Sequence, residues 1–241
     1  DSGLQRVASD ALGDRRGTVV AIDPKTGGVL ALVSKPSYDP NLFIAGIDHA
    51  TYAGLRDSID VPLFNRALQG QYEPGSTLKP FIGLIGLAAG ATTKEFKIED
   101  PGWYKLPQNE RLYRDWNWKK SGLGGHGLVD IEKAIYRSCN IYFYDLAVKL
   151  GIDRIHDDLA LFGFGQNTAI DLPEARNGLL PSRAWKLGSR GESWYPGDTV
   201  NIGIGQGDIL VTPLQLATAV AVLANRGGAV TPHMLQQSPL V

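Results

Sequence analysis

The sequence of 241 residues holds one cysteine, Cys139. A single thiol excludes an internal disulfide, so no covalent cross-link staples the fold. It leaves the compartment open, because many exported proteins also lack disulfides. Long hydrophobic runs are missing too. The longest, Phe81 to Ala91, has 11 residues and is too short to span a bilayer. Nothing at the N-terminus resembles a signal peptide. An excess of one charge is also absent. The formal net charge of −1 gives no basic field for nucleic acid or an anionic membrane. Internal repeats and low-complexity tracts are not seen.

Turn formers are plentiful: 29 glycines and 14 prolines predict many turns and loops. The length allows a substantial core, as one domain or one domain plus a subdomain. The chain begins abruptly in an amphipathic segment and ends soon after Thr231-Pro232-His233. Both ends therefore read as cuts in something longer.

Leu4, Val7, Ala11 and Leu12 have helical spacing. Gly17–Ile22 and Val29–Ser34 read as two strands of an antiparallel hairpin, joined by a Pro- and Gly-containing turn. Val29-Leu30-Ala31-Leu32-Val33 is apolar throughout, which predicts a central strand covered on both faces. Residues 35–75 read as loop-rich. Ser76–Ala89 is apolar all round and predicts a deeply buried helix. Asp130–Arg137, Asn140–Leu150 and Ile152–Phe162 read as helices, with Gly151 as a stop. Residues 163–211 read as mixed loops with short strands. Thr212-Pro213 opens a helix through Asn225, and Ala229-Val230-Thr231 starts a weak strand.

The chemistry concentrates at Tyr-Glu-Pro-Gly-Ser-Thr-Leu-Lys-Pro-Phe, residues 72–81. Ser76 and Lys79 stand three apart, one helical turn on the same face. A serine hydroxyl needs a base to become a nucleophile, and a lysine serves if burial keeps it neutral. Free N–H groups at a helix start favour charge developing at an attacked carbonyl. The pattern alone is weak, since a chain of this composition holds an S-x-x-K by chance about every second time. The plain alternative is Ser76 as an N-cap and Lys79 as a solvated first-turn residue. Ser138-Cys139-Asn140 lies between two predicted helices. It offers a hydroxyl and an amide to one cleft, or two ordinary caps. Cys139 reads as a small buried helix-end residue and His126 as a loop residue.

Arg66-Ala67-Leu68-Gln69-Gly70-Gln71-Tyr72-Glu73-Pro74-Gly75-Ser76-Thr77-Leu78-Lys79-Pro80 closely resembles the active-serine segment of class B penicillin-binding proteins. Ser138-Cys139-Asn140 matches their S-x-N element. Gly203-Ile204-Gly205-Gln206-Gly207 before Thr212-Pro213, and Val20 to Ala31, match two further landmarks. The resemblance runs from about Leu4 to His233. Pro36-Ser37-Tyr38-Asp39-Pro40-Asn41 and Asp100-Pro101-Gly102-Trp103 look most like elongation-type members.

This resemblance implies an α/β fold of the penicillin-binding transpeptidase and serine β-lactamase kind. An antiparallel sheet is sandwiched by helices, and a helical subdomain covers approximately residues 76–200 of a partial 1–241 transpeptidase domain. It implies peptidoglycan D,D-transpeptidation through an acyl-enzyme on Ser76, inhibited by β-lactams. Lys79 is the implied base, Ser138 a proton relay to the leaving group and Asn140 a binder of the substrate amide. The acyl transfer itself needs no cofactor. The rival readings are a serine β-lactamase, a D,D-carboxypeptidase, or a non-catalytic β-lactam sensor or docking module. The family's K-[ST]-G strand is expected beyond Val241, together with the remaining sheet strands. Lys25-Thr26-Gly27 reads as turn chemistry and Lys120-Ser121-Gly122 as a flexible loop. Elongation-type members of Gram-negative bacteria carry a structural zinc site of two aspartates, a histidine and a cysteine. Asp100, Asp115, His126 and Cys139 match it in type and order. The implied partners are stem peptides, β-lactams, a glycan polymerase and rod-shape complex proteins, with no nucleic acid. The implied location is the periplasmic face of the inner membrane.

Overall fold

The computed structural model describes residues 1–107, 109–119, 124–169 and 171–235. In chain order the helices are α1 (Ser2–Leu12), α2 (His49–Arg56), α3 (Lys79–Ala88), α4 (Ile131–Tyr136), α5 (Asn140–Leu150), α6 (Ile152–Ala160), α7 (Arg183–Arg190), α8 (Pro196–Ile202) and α9 (Pro213–Ala224). The strands are β1 (Gly17–Ile22), β2 (Val29–Lys35), β3 (Ile98–Asp100), β4 (Trp103–Lys105), β5 (Leu112–Arg114) and β6 (Gly127–Val129). Among the described residues no helix is long and apolar enough to cross a membrane. The chain divides into two compact units: Asp1–Tyr72, Phe162–Gly178 and Val211–Val241, and Glu73–Leu161 with Leu179–Leu210. The second holds most of the 76–200 range expected as a helical subdomain. Residues 162–178 pack instead in the first.

In the first unit β1 and β2 pair antiparallel from Gly17↔Lys35 to Ala21↔Ala31. Asp23 shapes the turn between them. Its carboxylate accepts from Lys25 N at 2.9 Å and from Thr26 Oγ1 at 2.9 Å. Lys25-Thr26-Gly27 is therefore turn chemistry, as expected; Lys120-Ser121-Gly122 lies outside the described residues. Helix α1 covers one face of β2 through Ala8, which packs with Ala31 and Val33. Gln5 bonds both main-chain groups of Leu32. Leu32 and Val20 pack on the opposite side, against Ala67, Leu68 and Leu214. The strand expected at 229–231 is instead one parallel bridge, Gly28↔His233. The segment 35–75, expected to be loop-rich, also contains α2. Asp48 caps it by accepting from Ala50 N and Thr51 N. None of its residues is buried, so no apolar period marked it.

In the second unit α5 is the centre. It buries Ile141, Tyr142, Phe143, Leu146 and Ala147. Helix α3 meets it with Phe81, Ile82 and Ile85. Each such side chain contributes roughly 1.5–3 kcal/mol by leaving water. Strands β3 and β6 pair antiparallel, as do β4 and β5. The β3–β6 pair closes tightly because residue 125 is glycine. Its φ is +100°, and a Cβ there would stand 2.2 Å from Asp100 O. Two helices fall where mixed loops were expected. Ser182 caps α7, accepting from Trp185 N. Pro196 opens α8, and the Asp198 carboxylate reaches back to Tyr195 N at 2.8 Å. Helix α7 buries only Lys186, whose ammonium pairs with Asp198 at 2.6 Å. Its apolar pattern was therefore faint.

Helix α8 ends against α5 at Gly203, where a Cβ would stand 2.6 Å from Phe143 O and 2.6 Å from Ala147 Cβ. Gly203→Ala should cost about 1–3 kcal/mol of stability by forcing backbone apart. Thermal denaturation of the variant reads this as a lower Tm. An unchanged Tm would contradict the tight packing.

Candidate active site

Ser76 lies in a single 3-10 turn, Gly75–Leu78, and Lys79 opens α3. The two residues do not share one continuous α-helix, as the spacing had suggested. Gly75 starts the turn with φ +57°. Its N–H donates to Gly205 O at 2.8 Å. Gly205, at φ +71°, lies so close that a Cβ there would stand 2.2 Å from Gly75 O. Only glycine fits that position without moving the turn. The Gly-Ile-Gly-Gln-Gly stretch thus backs the turn that carries Ser76. The result is a contrast three residues wide: Ser76 is exposed, and Lys79 is 1% exposed.

Ser138 and Asn140 reach Lys79 from the α4–α5 junction. Ser138 has φ +54°, in the left-handed region that costs a non-glycine residue about 1 kcal/mol or more. This backbone turns both its carbonyl and its hydroxyl onto the amine. Lys79 Nζ donates to Ser138 O at 2.7 Å, to Ser138 Oγ at 3.1 Å and to Asn140 Oδ1 at 2.7 Å. Ser138 Oγ donates to Ser76 Oγ at 2.9 Å. Ser76 and Lys79 are therefore linked through Ser138, rather than simply side by side. Burial pushes the Lys79 amine down to about 8, against the opposing pull of Asp115 and Cys139. A neutral amine has two N–H donors and one lone pair. The donors suit the two carbonyl oxygens, Ser138 O and Asn140 Oδ1. The lone pair is left for the Ser138 hydroxyl. Rotating both hydroxyls then gives a continuous path from Ser76 O–H through Ser138 Oγ to Lys79 Nζ.

Behind this site lie Asp100, Asp115, His126 and Cys139, whose ligand atoms all fall within 4.8 Å of one another. His126 Nδ1 is 2.7 Å from Asp100 Oδ2 and 3.2 Å from Asp115 Oδ2. Cys139 Sγ donates to Asp100 Oδ2 at 3.2 Å. All four side chains are buried. Burial raises the Asp100 carboxyl, but hydrogen bonds from Gly102 N–H and His126 outweigh it and hold it below the usual range. Burial and the neighbouring Asp100 push Asp115 up. Burial also pushes the Cys139 thiol up. Two buried carboxylates lie beside a thiol and an imidazole. Four nitrogen, oxygen and sulfur donors at this separation fit a tetrahedral divalent ion. The cluster touches the catalytic junction directly: Asp115 Oδ2 accepts from Asn140 N at 3.2 Å.

The sequence pattern of the penicillin binding protein transpeptidase domain matches residues 17–239. The chain belongs to that family. Among its relatives in the penicillin-binding protein family is the peptidoglycan D,D-transpeptidase MrdA of Acinetobacter baumannii. The two are 51% identical over 236 residues, 98% of this chain and 34% of that protein. The chain thus spans about a third of the length of that curated relative. PBP2 of Pseudomonas aeruginosa, solved in complex with WCK 5153, is 55% identical with a TM-score of 0.93. That match covers 97% of this chain and 50% of the other. PBP2 of Helicobacter pylori, solved in complex with MreC, is 35% identical with a TM-score of 0.90, covering 97% of this chain and 42% of the other.

All eight sequence-derived site residues of this penicillin-binding domain fall in two adjoining clusters. Sequence reasoning did not find the Asp115–Asn140 hydrogen bond, because a main-chain donor leaves no mark on side-chain spacing. It also missed the bond from Gly207 N to Glu73 Oε1, 2.9 Å long. The only signal for it was an acid beside Pro74-Gly75. Titration of the Lys79 side chain by carbon-13 NMR should give a midpoint about 8, against an ordinary 10.5. A midpoint at the ordinary value would mean that burial does not ease loss of the amine's proton.

Proposed function

We propose that the chain is the acyl-transfer domain of a peptidoglycan D,D-transpeptidase. The observation that carries this reading is the path Ser76–Ser138–Lys79, ending on an amine from which burial eases loss of the proton. Ser76 Oγ attacks the carbonyl of the penultimate D-Ala of a stem peptide. Its proton passes through Ser138 to Lys79. The new oxyanion faces the Ser76 N–H, one donor of an oxyanion hole. Collapse breaks the peptide bond, and the proton returns through Ser138 to the departing D-Ala amine. An amine of a second stem peptide then attacks the ester, and Ser76 recovers its proton. Asn140 keeps its Oδ1 on Lys79, which leaves its NH2 for the substrate amide. A β-lactam enters by the same first step, but its amine stays tethered after ring opening. By the family resemblance, the second oxyanion donor and the holder of the substrate carboxylate belong to a K-[ST]-G strand. The naming of the Acinetobacter baumannii relative as a D,D-transpeptidase favours crosslinking over simple hydrolysis.

The same reading assigns Asp100, Asp115, His126 and Cys139 to a structural zinc ion. When bound, such an ion supplies positive charge beside the two buried carboxylates, and ties Asp100, Asp115 and His126 to the α4–α5 junction. Asp115 then holds Asn140 N–H as well as its ligand position. The Helicobacter pylori relative was solved with MreC. A rod-shape partner of that kind, a glycan polymerase and a station on the periplasmic face of the inner membrane complete the proposal.

Intact mass after benzylpenicillin should show one adduct, mapped to Ser76, and none on Ser76→Ala. An adduct elsewhere overturns the proposal. Lys79→Ala should slow acylation about 100-fold or more. The acylation rate should rise with pH until about 8 and then level, because the reactive form is the neutral amine. A rate flat from pH 6 to 9 would remove Lys79 as the base. For the metal, elemental analysis should find one zinc per chain. Cys139→Ala should lose the ion, lower the Tm and slow acylation. Absent zinc, with that variant folded and acylated like the parent, would eliminate the site.

A further inference from the structure

Glu73 lies three residues before the nucleophile and is exposed. The segment 203–207 is held along its length; Gly203 N donates to Thr199 O at 3.1 Å and Gly205 N to Ile202 O at 2.9 Å. Near its start, Ile204 N and Gln206 N both donate to Asn201 O, at 3.2 and 3.0 Å. In its middle, Gly205 O accepts from Gly75 N at 2.8 Å. At its far end, Gly207 N donates to Glu73 Oε1 at 2.9 Å. Residues 73 and 75 thus meet 207 and 205 in antiparallel order, with a carboxylate standing where a strand would offer a carbonyl. Gly207 has φ +88°, so this N–H is presented by a backbone held in the left-handed region.

The contact has a consequence for the peptide between Gly75 and Ser76. Gly205 presses on the Gly75 carbonyl, since a Cβ there would come within 2.2 Å of that oxygen. A trans peptide points its C=O and N–H in opposite directions. The Ser76 N–H therefore points away from the 203–207 segment. It also lies in the first turn, where an N–H has no partner within the turn. If the segment slackens, the carbonyl is free to swing and the N–H swings with it.

We propose that Glu73 is a positioning residue for acyl transfer. By holding Gly207, it keeps Gly205 against Gly75, and so aims the Ser76 N–H at the developing oxyanion. The proposal rests on the acyl-transfer reading above. It predicts an effect on the chemical step rather than on drug binding or on the core, because Glu73 is exposed and touches the segment by one bond to a main-chain group.

The test uses Glu73→Ala and Glu73→Gln in the full-length protein, with benzylpenicillin as the probe. Rapid mixing separates the initial binding constant from the acylation rate constant. Glu73→Ala should slow acylation about tenfold, a fraction of the 100- to 1000-fold lost with an entire oxyanion donor. Its initial binding constant and Tm should stay within about twofold and about 2 °C of the parent. Glu73→Gln keeps an oxygen acceptor at the same reach and should recover to within about threefold of the parent rate. Infrared spectra of the acyl-enzyme should show a higher ester carbonyl frequency in Glu73→Ala, reporting a weaker hydrogen bond. An alanine variant that acylates at the parent rate overturns the proposal, as does a glutamine variant as slow as alanine. An alanine variant that fails to fold also overturns it, since Glu73 would then serve stability. If the parent itself forms no Ser76 adduct, the acyl-transfer reading fails instead.

Discussion

The buried amine of Lys79 is the constraint from which the rest of the site follows. An ammonium at 1% exposure needs acceptors on every side, and a neutral amine needs two acceptors and one proton donor. Ser138 and Asn140 meet either requirement with the same three atoms. Meeting it sets the geometry around them. Ser138 must adopt a left-handed backbone, α5 must begin at residue 140, and the short strands of residues 98–129 must pack behind the junction. The 3-10 turn at Ser76 then places an exposed hydroxyl over a dry interior. One turn of chain separates a group that must meet substrate from a group that must avoid water.

The second unit is arranged to hold that boundary. Helix α5 buries a nearly continuous apolar surface and carries Asn140 at its first turn, so the catalytic amide rides on the best-packed helix. Helices α7 and α8 are short, but their ion pair between Lys186 and Asp198 stiffens the approach to Gly203. From there the chain runs directly to the segment behind Ser76. The metal-type cluster braces the opposite side, where Asp115 bonds Asn140 through the main chain. The site is thus supported by both groups of elements.

Much of this was readable in the amino-acid order, for identifiable reasons. Helix α1 stands where its apolar period puts it, and α3, α5 and α9 stand close to where apolar runs and helix-end signals put them. The β1–β2 hairpin follows from its turn chemistry. Helices α2 and α7 escaped because one buries nothing and the other buries a single lysine. Helix α8 has only seven residues, and its signal was a proline and an aspartate rather than a period. Ser76 and Lys79 were legible as a pair, but the interposed Ser138 hydroxyl was not, because 62 residues separate it from Ser76. The four residues of the buried cluster came from resemblance alone. Their spacing follows no compact ligand pattern: the β3–β6 pair brings Asp100 to His126, and the ends of β5 and α4 add Asp115 and Cys139.

Two of the three oxygens around the Lys79 amine belong to residue 138, and one of those is a peptide carbonyl. No codon change at that position deletes a carbonyl. Substitution at residue 138 can therefore remove the hydroxyl, yet it leaves one of the amine's three oxygen partners out of reach of inheritance. Replacement by glycine would even ease the backbone while removing the relay.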